Sequence, residues 1–161
     1  MYRGVKIAQQ SRYDCGAAAL CSLAAQHGLC ISLAKARMLC GCTREGITIK
    51  GIIEAGKKLG FNCSGFKSAD KDHSSLIGIP LPAIAHTVTK DGFYHYITIL
   101  EIKGDSLTVM DPDGGEIKRL STLEFSQLWT GYIVLAEPSE SFAPKDERGS
   151  TYRMLLEISL Q

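Results

Sequence analysis

The stretch from residue 9 to residue 28, QQSRYDCGAAALCSLAAQHG, decides the fold because it predicts a buried helix that begins with a thiol. Alanine, leucine and cysteine dominate residues 15–27, with Asp14 as a candidate N-cap and Gly28 as a helix stop. Unsatisfied backbone N–H groups and the positive end of the helix dipole favour a thiolate at Cys15, and the thiolate is the reactive form of cysteine. The alternative is an ordinary buried cysteine, and this stretch alone leaves both interpretations open.

The bulk composition indicates one soluble globular domain. The chain has 161 residues, of which 45% are hydrophobic and 22% are charged. A net charge of +1 gives no general electrostatic reason to bind nucleic acid, and we expect no nucleic-acid partner. The sequence contains neither an 18-residue apolar run nor a signal peptide, so we expect this piece to be soluble.

The cysteines favour a reducing compartment over a disulfide framework. All six occur within the first 63 residues, at positions 15, 21, 30, 40, 42 and 63. Cys21, Cys30 and Cys63 have apolar neighbours and are interpreted as small buried hydrophobes. The pair Cys40 and Cys42 could bind zinc or act in redox chemistry, but no second pair with ligand spacing follows, so we expect no metal.

The order of predicted elements indicates an α+β fold. A lead-in with a possible strand through Val5 and Ile7 precedes the first helix, and further helices are predicted between Ser32 and Gly41 and after Thr48. After residue 60 the spacing of apolar residues becomes typical of short strands. One more helix is predicted over LEFSQLW, capped by Ser121 or Thr122. The predicted strands are FNCSGFK, LPAIAHTV, FYHYITILEI, LTVMDP, EIKRL and YIVLAEP. Helices followed by a meandering antiparallel sheet are typical of α+β domains.

The composition shifts at residue 138. EPSESFAPKDERGS is polar and lacks apolar periodicity, so it is interpreted as a linker, and TYRMLLEISLQ begins an amphipathic segment. The predicted organisation is a domain over 1–137 and, over 138–161, a linker with the start of a further segment of a longer protein.

A cysteine nucleophile needs a base, and four histidines are candidates. His27 lies at a helix end, His73 in a polar loop, and His86 and His95 on predicted strands. Asp111 follows His95 by sixteen residues, and a hairpin at KGDS would bring the two within about three residues of being opposite. Asp111 could then orient the imidazole of His95, although Asp-Pro-Asp-Gly-Gly is also a strong turn signal on its own.

A tetrahedral intermediate also needs hydrogen-bond donors for its oxyanion. Gln9 and Gln10 precede the thiol by six and five residues, and either could act together with the backbone N–H of Cys15. A glutamine pair on a surface loop is the plain alternative, and spacing alone does not choose between them.

Three blocks together resemble a known family. From residue 5 to residue 137, AQQSRYDCGAAALCSLAAQHG, FYHYITIL and VMDPDGG…EFSQLWTGYIVL resemble the C39 peptidases, papain-like cysteine proteases at the N-terminus of ABC exporters. The resemblance implies N-terminal helices packed on a C-terminal antiparallel sheet. It places the nucleophile on Cys15, the base on His95, the orienting acid on Asp111 and the oxyanion-hole glutamine on Gln9.

The resemblance also implies a substrate and a setting. The substrate would be a precursor peptide whose amphipathic-helical leader ends in Gly-Gly or Gly-Ala, cleaved after that pair and exported by the attached transporter. The domain would work at the cytoplasmic face of the bacterial cell membrane without a cofactor, with ATP and Mg²⁺ confined to a separate nucleotide-binding domain. Open alternatives are a leader-docking module without activity, a zinc-stabilised domain using Cys40 and Cys42, and a cysteine amidase or acyltransferase.

Overall fold

Helices fill the first part of the chain and strands the second in a computed structural model that describes residue 2 and residues 4–149. The helices are α1 (Cys15–Gln26), α2 (Leu33–Cys40), α3 (Ile49–Lys58), a 3-10 turn (His73–Leu76) and α4 (Thr122–Leu128). The strands are β1 (Leu29–Cys30), β2 (Phe61–Lys67), β3 (Ala83–Val88), β4 (Tyr94–Lys103), β5 (Ser106–Asp111), β6 (Glu116–Ser121), β7 (Trp129–Pro138) and β8 (Lys145–Asp146). The α+β class predicted from the sequence is confirmed.

Local capping signals place most helix starts. The hydroxyl of Ser32 accepts the N–H of Lys35 at 3.1 Å, and that of Thr48 accepts the N–H of Gly51 at 2.9 Å. Of the two candidates before α4, Ser121 is the cap and forms a reciprocal capping box with Glu124.

Two local predictions near the N-terminus are wrong. Residues 5–9 form neither a helix nor a strand, so the lead-in strand through Val5 and Ile7 does not form. Asp14 precedes α1 as predicted, but its side chain makes no hydrogen bond to that helix. The carboxylate turns back to the preceding loop, where it accepts the backbone N–H groups of Gln10 and Ser11 instead.

Six strands form one antiparallel sheet in the order β2-β7-β3-β4-β5-β6. The last of these strands along the chain, β7, lies between β2 and β3 and pairs with both. A bulge between Ile99 and Glu101 shifts the pairing of β4 with β5. The sheet therefore joins the helical part of the chain, through β2, to the β3–β6 meander.

Apolar side chains cover both faces of this sheet. On one face, α1, α2 and α3 pack against residues such as Ile84 and Val134. On the other face, Phe125 and Trp129 stack with ring centroids 5.3 Å apart beside α4. Helix α1 lies so deep that residues 15–24 are all buried, and the hydroxyl of Thr98 on β4 donates to its Ala19 carbonyl at 2.9 Å. The start of α1 is thus fixed relative to β4.

The chain returns to the helices after β7. Phe142 packs its ring 4.8 Å from that of Phe61, and β8 pairs in parallel with β1. Lys35 forms an ion pair with Glu147 at the same place. The segment predicted to be a linker thus begins with residues that contact the helical part. Its boundary at residue 137 stays a prediction. Residues 150–161, which include the predicted amphipathic segment, lie outside the part of the chain that the structure describes.

Within residues 4–149, no helix combines the length and the apolar character that crossing a lipid bilayer requires.

Candidate active site

A cleft of about 1130 Å³ lies between the start of α1, the first residues of β4 and the last residue of β5. Cys15, the first residue of α1, lines it and is only 6% exposed. The same cleft is lined by Gln9, His95 and Asp111, so all four residues singled out in the sequence come together. Gln10 is exposed and does not line the cleft.

His95 and Asp111 meet across neighbouring strands. Thr98 pairs with Met110, so Asp111 falls opposite Ile97, two residues from His95. The Nε2 atom of His95 lies 2.7 Å from Oδ1 of Asp111. Because Asp111 engages Nε2, Nδ1 is the ring nitrogen left to pair with the thiol of Cys15.

Asp111 also serves the turn that its sequence context predicted. Its Oδ1 accepts the backbone N–H of Asp113 at 2.9 Å, and its Oδ2 accepts from Nζ of Lys118 at 3.0 Å. The two interpretations of Asp111 are therefore compatible, since one carboxylate holds the turn and contacts the imidazole.

The electrostatics of this pair favour a protonated imidazole. Burial lowers the pKa of His95, but its hydrogen bonds with Asp111 and Cys15, together with the charges of both groups, raise that pKa to about 9. Burial raises the pKa of Asp111, but hydrogen bonds from His95, the Asp113 backbone and Lys118 lower it to about 2. At neutral pH the arrangement is therefore suited to an imidazolium at His95 beside an ionised Asp111, with the thiol of Cys15 on the other side of the ring.

Gln9 is held by its backbone, while its side chain has no fixed partner. The N–H of Gln9 donates to the carbonyl of Pro112 at 2.8 Å, which joins this segment to the turn that follows Asp111. Its Oε1 is buried without a hydrogen-bond partner. The side-chain amide is therefore not held by its carbonyl, and its Nε2 group is the donor that an oxyanion in the cleft would use.

The other histidines occupy different environments. His27 packs against Phe61 and Phe142, and His73 lies beside Asp72 in the 3-10 turn. His86 lines the cleft but points its Nδ1 at the Thr130 hydroxyl, 2.8 Å away. Burial lowers the pKa of His86. Of the four histidines, His95 is the one that combines a carboxylate partner with contact to the thiol.

The remaining cysteines divide by burial. Burial raises the pKa of Cys21 and Cys40 to about 12 and that of Cys63 to about 11, as expected for unreactive thiols in a core. Cys30 and Cys42 are half-buried, so the prediction of a buried Cys30 is only partly right. Among residues 4–149, no three His, Cys, Asp or Glu side chains cluster closely enough to hold a metal ion.

Three contributors to the site were missed in the sequence. Tyr96 lines the cleft and donates its hydroxyl to the carbonyl of Ile47 at 2.8 Å. Lys118 contacts Asp111, and the buried Asp14 binds the loop after Gln9. Tyr96 directly follows His95 in an alternating strand, but nothing local indicates its partner. The sequence did single out Asp14, but as a cap of α1 and not as an acceptor for the N–H groups of the preceding loop.

A cysteine at the start of a buried helix, facing a histidine and an aspartate on an antiparallel sheet, places this protein in the class of papain-like cysteine peptidases. The model of the peptidase C39 family matches residues 4–141. The chain belongs to this family of cysteine peptidases.

Known relatives and solved structures agree with this assignment. The lactococcin-G-processing and transport ATP-binding protein LagD of Lactococcus lactis subsp. lactis is 34% identical over 142 residues, which are 88% of this chain and 20% of that protein. The mesentericin-Y105 transport/processing ATP-binding protein MesD of Leuconostoc mesenteroides is 33% identical over 143 residues, again 88% and 20%. The chain thus spans about one fifth of the length of the curated relatives it matches.

Two solved structures share the fold closely. The peptidase domain of Streptococcus ComA, described as a bi-functional ABC transporter involved in quorum sensing, superposes with a TM-score of 0.75 at 32% identity, covering 83% of this chain and 97% of that one. A double glycine motif protease from an AMS/PCAT transporter, solved in complex with its leader peptide, gives a TM-score of 0.73 at 25% identity, covering 83% and 90%. The papain-like fold predicted from the sequence is confirmed.

Proposed function

We propose that this domain is a cysteine endopeptidase that removes leader peptides after a double-glycine motif, Gly-Gly or Gly-Ala, from precursor peptides destined for export. The observation that carries the proposal is the cleft in which Cys15 faces His95, itself 2.7 Å from Asp111. Likeness to a double glycine motif protease bound to a leader peptide supports the substrate class.

The reaction follows from the roles of the three side chains. The Sγ thiolate of Cys15 attacks the carbonyl carbon of the second glycine, and the developing oxyanion accepts from the Gln9 amide and the backbone N–H of Cys15. Nδ1 of His95 then gives its proton to the departing amine as the C–N bond breaks. Water, deprotonated by His95, attacks the thioester, which releases the leader carboxylate and restores the thiolate. Asp111 keeps the ring oriented and stabilises its charge throughout.

Glycine at the cleavage site suits this geometry. A glycine carries no Cβ, so its backbone can approach the start of a buried helix more closely than any other residue can. We infer that the leader upstream of the glycines binds as an amphipathic helix.

We further propose that the domain works at the cytoplasmic face of the bacterial membrane, attached to the transmembrane and nucleotide-binding parts of a longer transporter. The names of its relatives, which couple processing with transport and ATP binding, support this setting. Peptide cleavage itself would need no cofactor, and ATP and Mg²⁺ would act in the nucleotide-binding part.

The direct test is cleavage of a synthetic precursor with a Gly-Gly junction, with products located by mass spectrometry. We expect a single cut after the second glycine, loss of cleavage with Cys15→Ala, and retention with Cys42→Ala, a half-buried thiol that serves as the matched control. A precursor with Val-Val at the junction should remain intact. Cleavage by purified Cys15→Ala protein would refute the proposal.

A second test addresses the oxyanion donor. Gln9→Ala should lower kcat roughly 10²-fold, whereas Gln10→Ala should change kcat less than about 3-fold because Gln10 is exposed outside the cleft. Equal effects of the two substitutions would contradict the role of Gln9.

A further inference from the structure

Asp14 is a fully buried carboxylate directly before the proposed nucleophile, and the reaction described above does not use it. Its exposed fraction is 0%, which is rare for an aspartate and implies specific partners. Its Oδ1 accepts two backbone N–H groups, from Gln10 and from Ser11, each at 3.1 Å. Both donors belong to the loop that leads from Gln9 to Cys15.

These contacts fix Gln9 from its C-terminal side. On its N-terminal side, the N–H of Gln9 is bound by the carbonyl of Pro112 at 2.8 Å. Gln9 therefore sits between two anchored backbone groups, one bound to the turn after Asp111 and one bound to Asp14. Because no hydrogen bond holds its Oε1, the direction in which its side chain enters the cleft depends on this backbone.

The same orientation leaves the helix terminus open. An aspartate at the N-cap ordinarily accepts the N–H of the second or third helical residue, here Gly16 or Ala17. Asp14 makes no such bond. The N–H groups at the start of α1 are thus not taken up by the neighbouring carboxylate, and they remain available to the thiolate of Cys15 and to a bound carbonyl.

The charge of Asp14 is balanced from a second helix. Its Oδ2 is buried without a hydrogen bond, and Nε of Arg37 on α2 lies 3.8 Å away. Arg37 is partly exposed, so its contribution is screened. Its position still places the compensating charge away from the cleft, since Arg37 does not line the cleft.

We infer that Asp14 is a positioning residue that acts through Gln9: its Oδ1 shapes the 9–13 loop so that the Gln9 amide faces the reacting carbonyl. This inference rests on the proposed function, because it needs the oxyanion role of Gln9. It assigns to Asp14 no contact with substrate.

The test is a double-mutant cycle between Asp14 and Gln9 on the whole domain, with the Gly-Gly precursor as substrate. Asp14→Ala should lower kcat roughly 10²-fold and leave KM within about 3-fold, as the loss of one oxyanion donor does. In the Gln9→Ala background, Asp14→Ala should lower kcat by less than about 3-fold, because the group it positions is already absent. Additive losses would overturn the inference.

Asp14→Asn is the conservative variant and keeps an oxygen that can accept from Gln10 and Ser11. We expect it to retain kcat within about 10-fold of wild type. Circular dichroism and the rate of Cys15 alkylation by iodoacetamide, which needs no oxyanion donor, report whether each variant keeps its fold and thiol. Should Asp14→Ala unfold, Asp14→Asn decides alone: a loss as large as that of Gln9→Ala would overturn the inference.

The outcomes separate this inference from the proposed function. Wild-type protein that cleaves no double-glycine precursor contradicts the proposed function and the role of Asp14 with it. Wild-type cleavage together with an undiminished kcat in folded Asp14→Ala overturns the role of Asp14 alone.

Discussion

The two walls of the cleft are built in different ways. On the cysteine wall, residues 9–16 are contiguous, and the carboxylate of Asp14 binds the loop that precedes Cys15. On the histidine wall, His95 and Asp111 stand on two strands, and side-chain contacts bring them together. The first wall is specified by local sequence and the second by strand pairing.

The two walls also differ in what holds them. The thiol sits in a core cluster and is 6% exposed, so packing fixes its place. The side chains of His95 and Asp111 are 12% and 18% exposed, and Lys118 reaches Asp111 from solvent. We therefore expect the cysteine wall to respond most to changes of shape and the histidine wall to changes of charge.

The largest expected effect is at His95. His95→Ala removes the group that exchanges protons with the thiol and the leaving amine, so kcat should fall roughly 10³-fold or more. Cleavage of the Gly-Gly precursor measures this. His86→Ala is the matched control, since His86 lines the same cleft without a carboxylate partner; a comparable loss of kcat there would contradict the assignment.

A smaller loss is expected at Asp111. Asp111→Asn should lower kcat about 10²-fold, because an amide can still orient the ring but no longer stabilises its charge. The pKa of His95, raised to about 9 with Asp111 present, should fall without the carboxylate. The alkaline limb of the kcat/KM profile, where the imidazolium loses its proton, should therefore move to lower pH. An unchanged limb would show that Asp111 does not set the charge of His95.

A change of shape at the junction of the two walls should cost less. A Cβ added at Gly115 would lie 2.8 Å from the backbone nitrogen of Ala8, directly before Gln9. Gly115→Ala should therefore displace the Gln9 segment and lower kcat about 10-fold, in addition to a positive-φ cost of about 1–2 kcal/mol in unfolding free energy. Kinetics and thermal unfolding measure the two effects.

Gly114→Ala is the control for backbone strain, because Gly114 also has a positive φ but would place its Cβ near only a flexible glutamate side chain. Similar kcat values for the two variants would show that contact with residue 8 does not matter for Gln9.

The smallest effect is expected at Lys118. Lys118→Met removes a positive charge 3.0 Å from Asp111, so the carboxylate should stabilise the imidazolium more strongly and raise the pKa of His95. The alkaline limb of kcat/KM should move up by about 0.3 pH units, the size expected of a half-exposed charge. Lys118→Arg keeps the charge and should leave the limb in place, and a shift toward lower pH in Lys118→Met would contradict the argument.

The sequence predicted those features that depend on neighbours along the chain. Ser32, Thr48 and Ser121 begin their helices because capping needs only a hydroxyl three residues before an amide. Asp14 was misread because the same local rule ignores competing N–H groups on its other side.

Features that depend on pairing between segments far apart in the chain could not be predicted from the sequence. The meeting of His95 with Asp111 was expected only to within about three residues, because the bulge in β4 sets its final register. No residue pattern in β2 or β3 indicates that β7 will pair between them.

The insertion of β7 between β2 and β3 decides when the sheet can be completed during synthesis. Strand β2, which extends the helical part of the chain, reaches the rest of the sheet only through β7, whose residues are made after every strand it joins. Contacts between segments so far apart in sequence form slowly and late. A growing chain that extends only to residue 128 therefore already carries every residue that lines the cleft, while β2 still has no partner strand. The strand that completes the sheet contributes no side chain to the cleft.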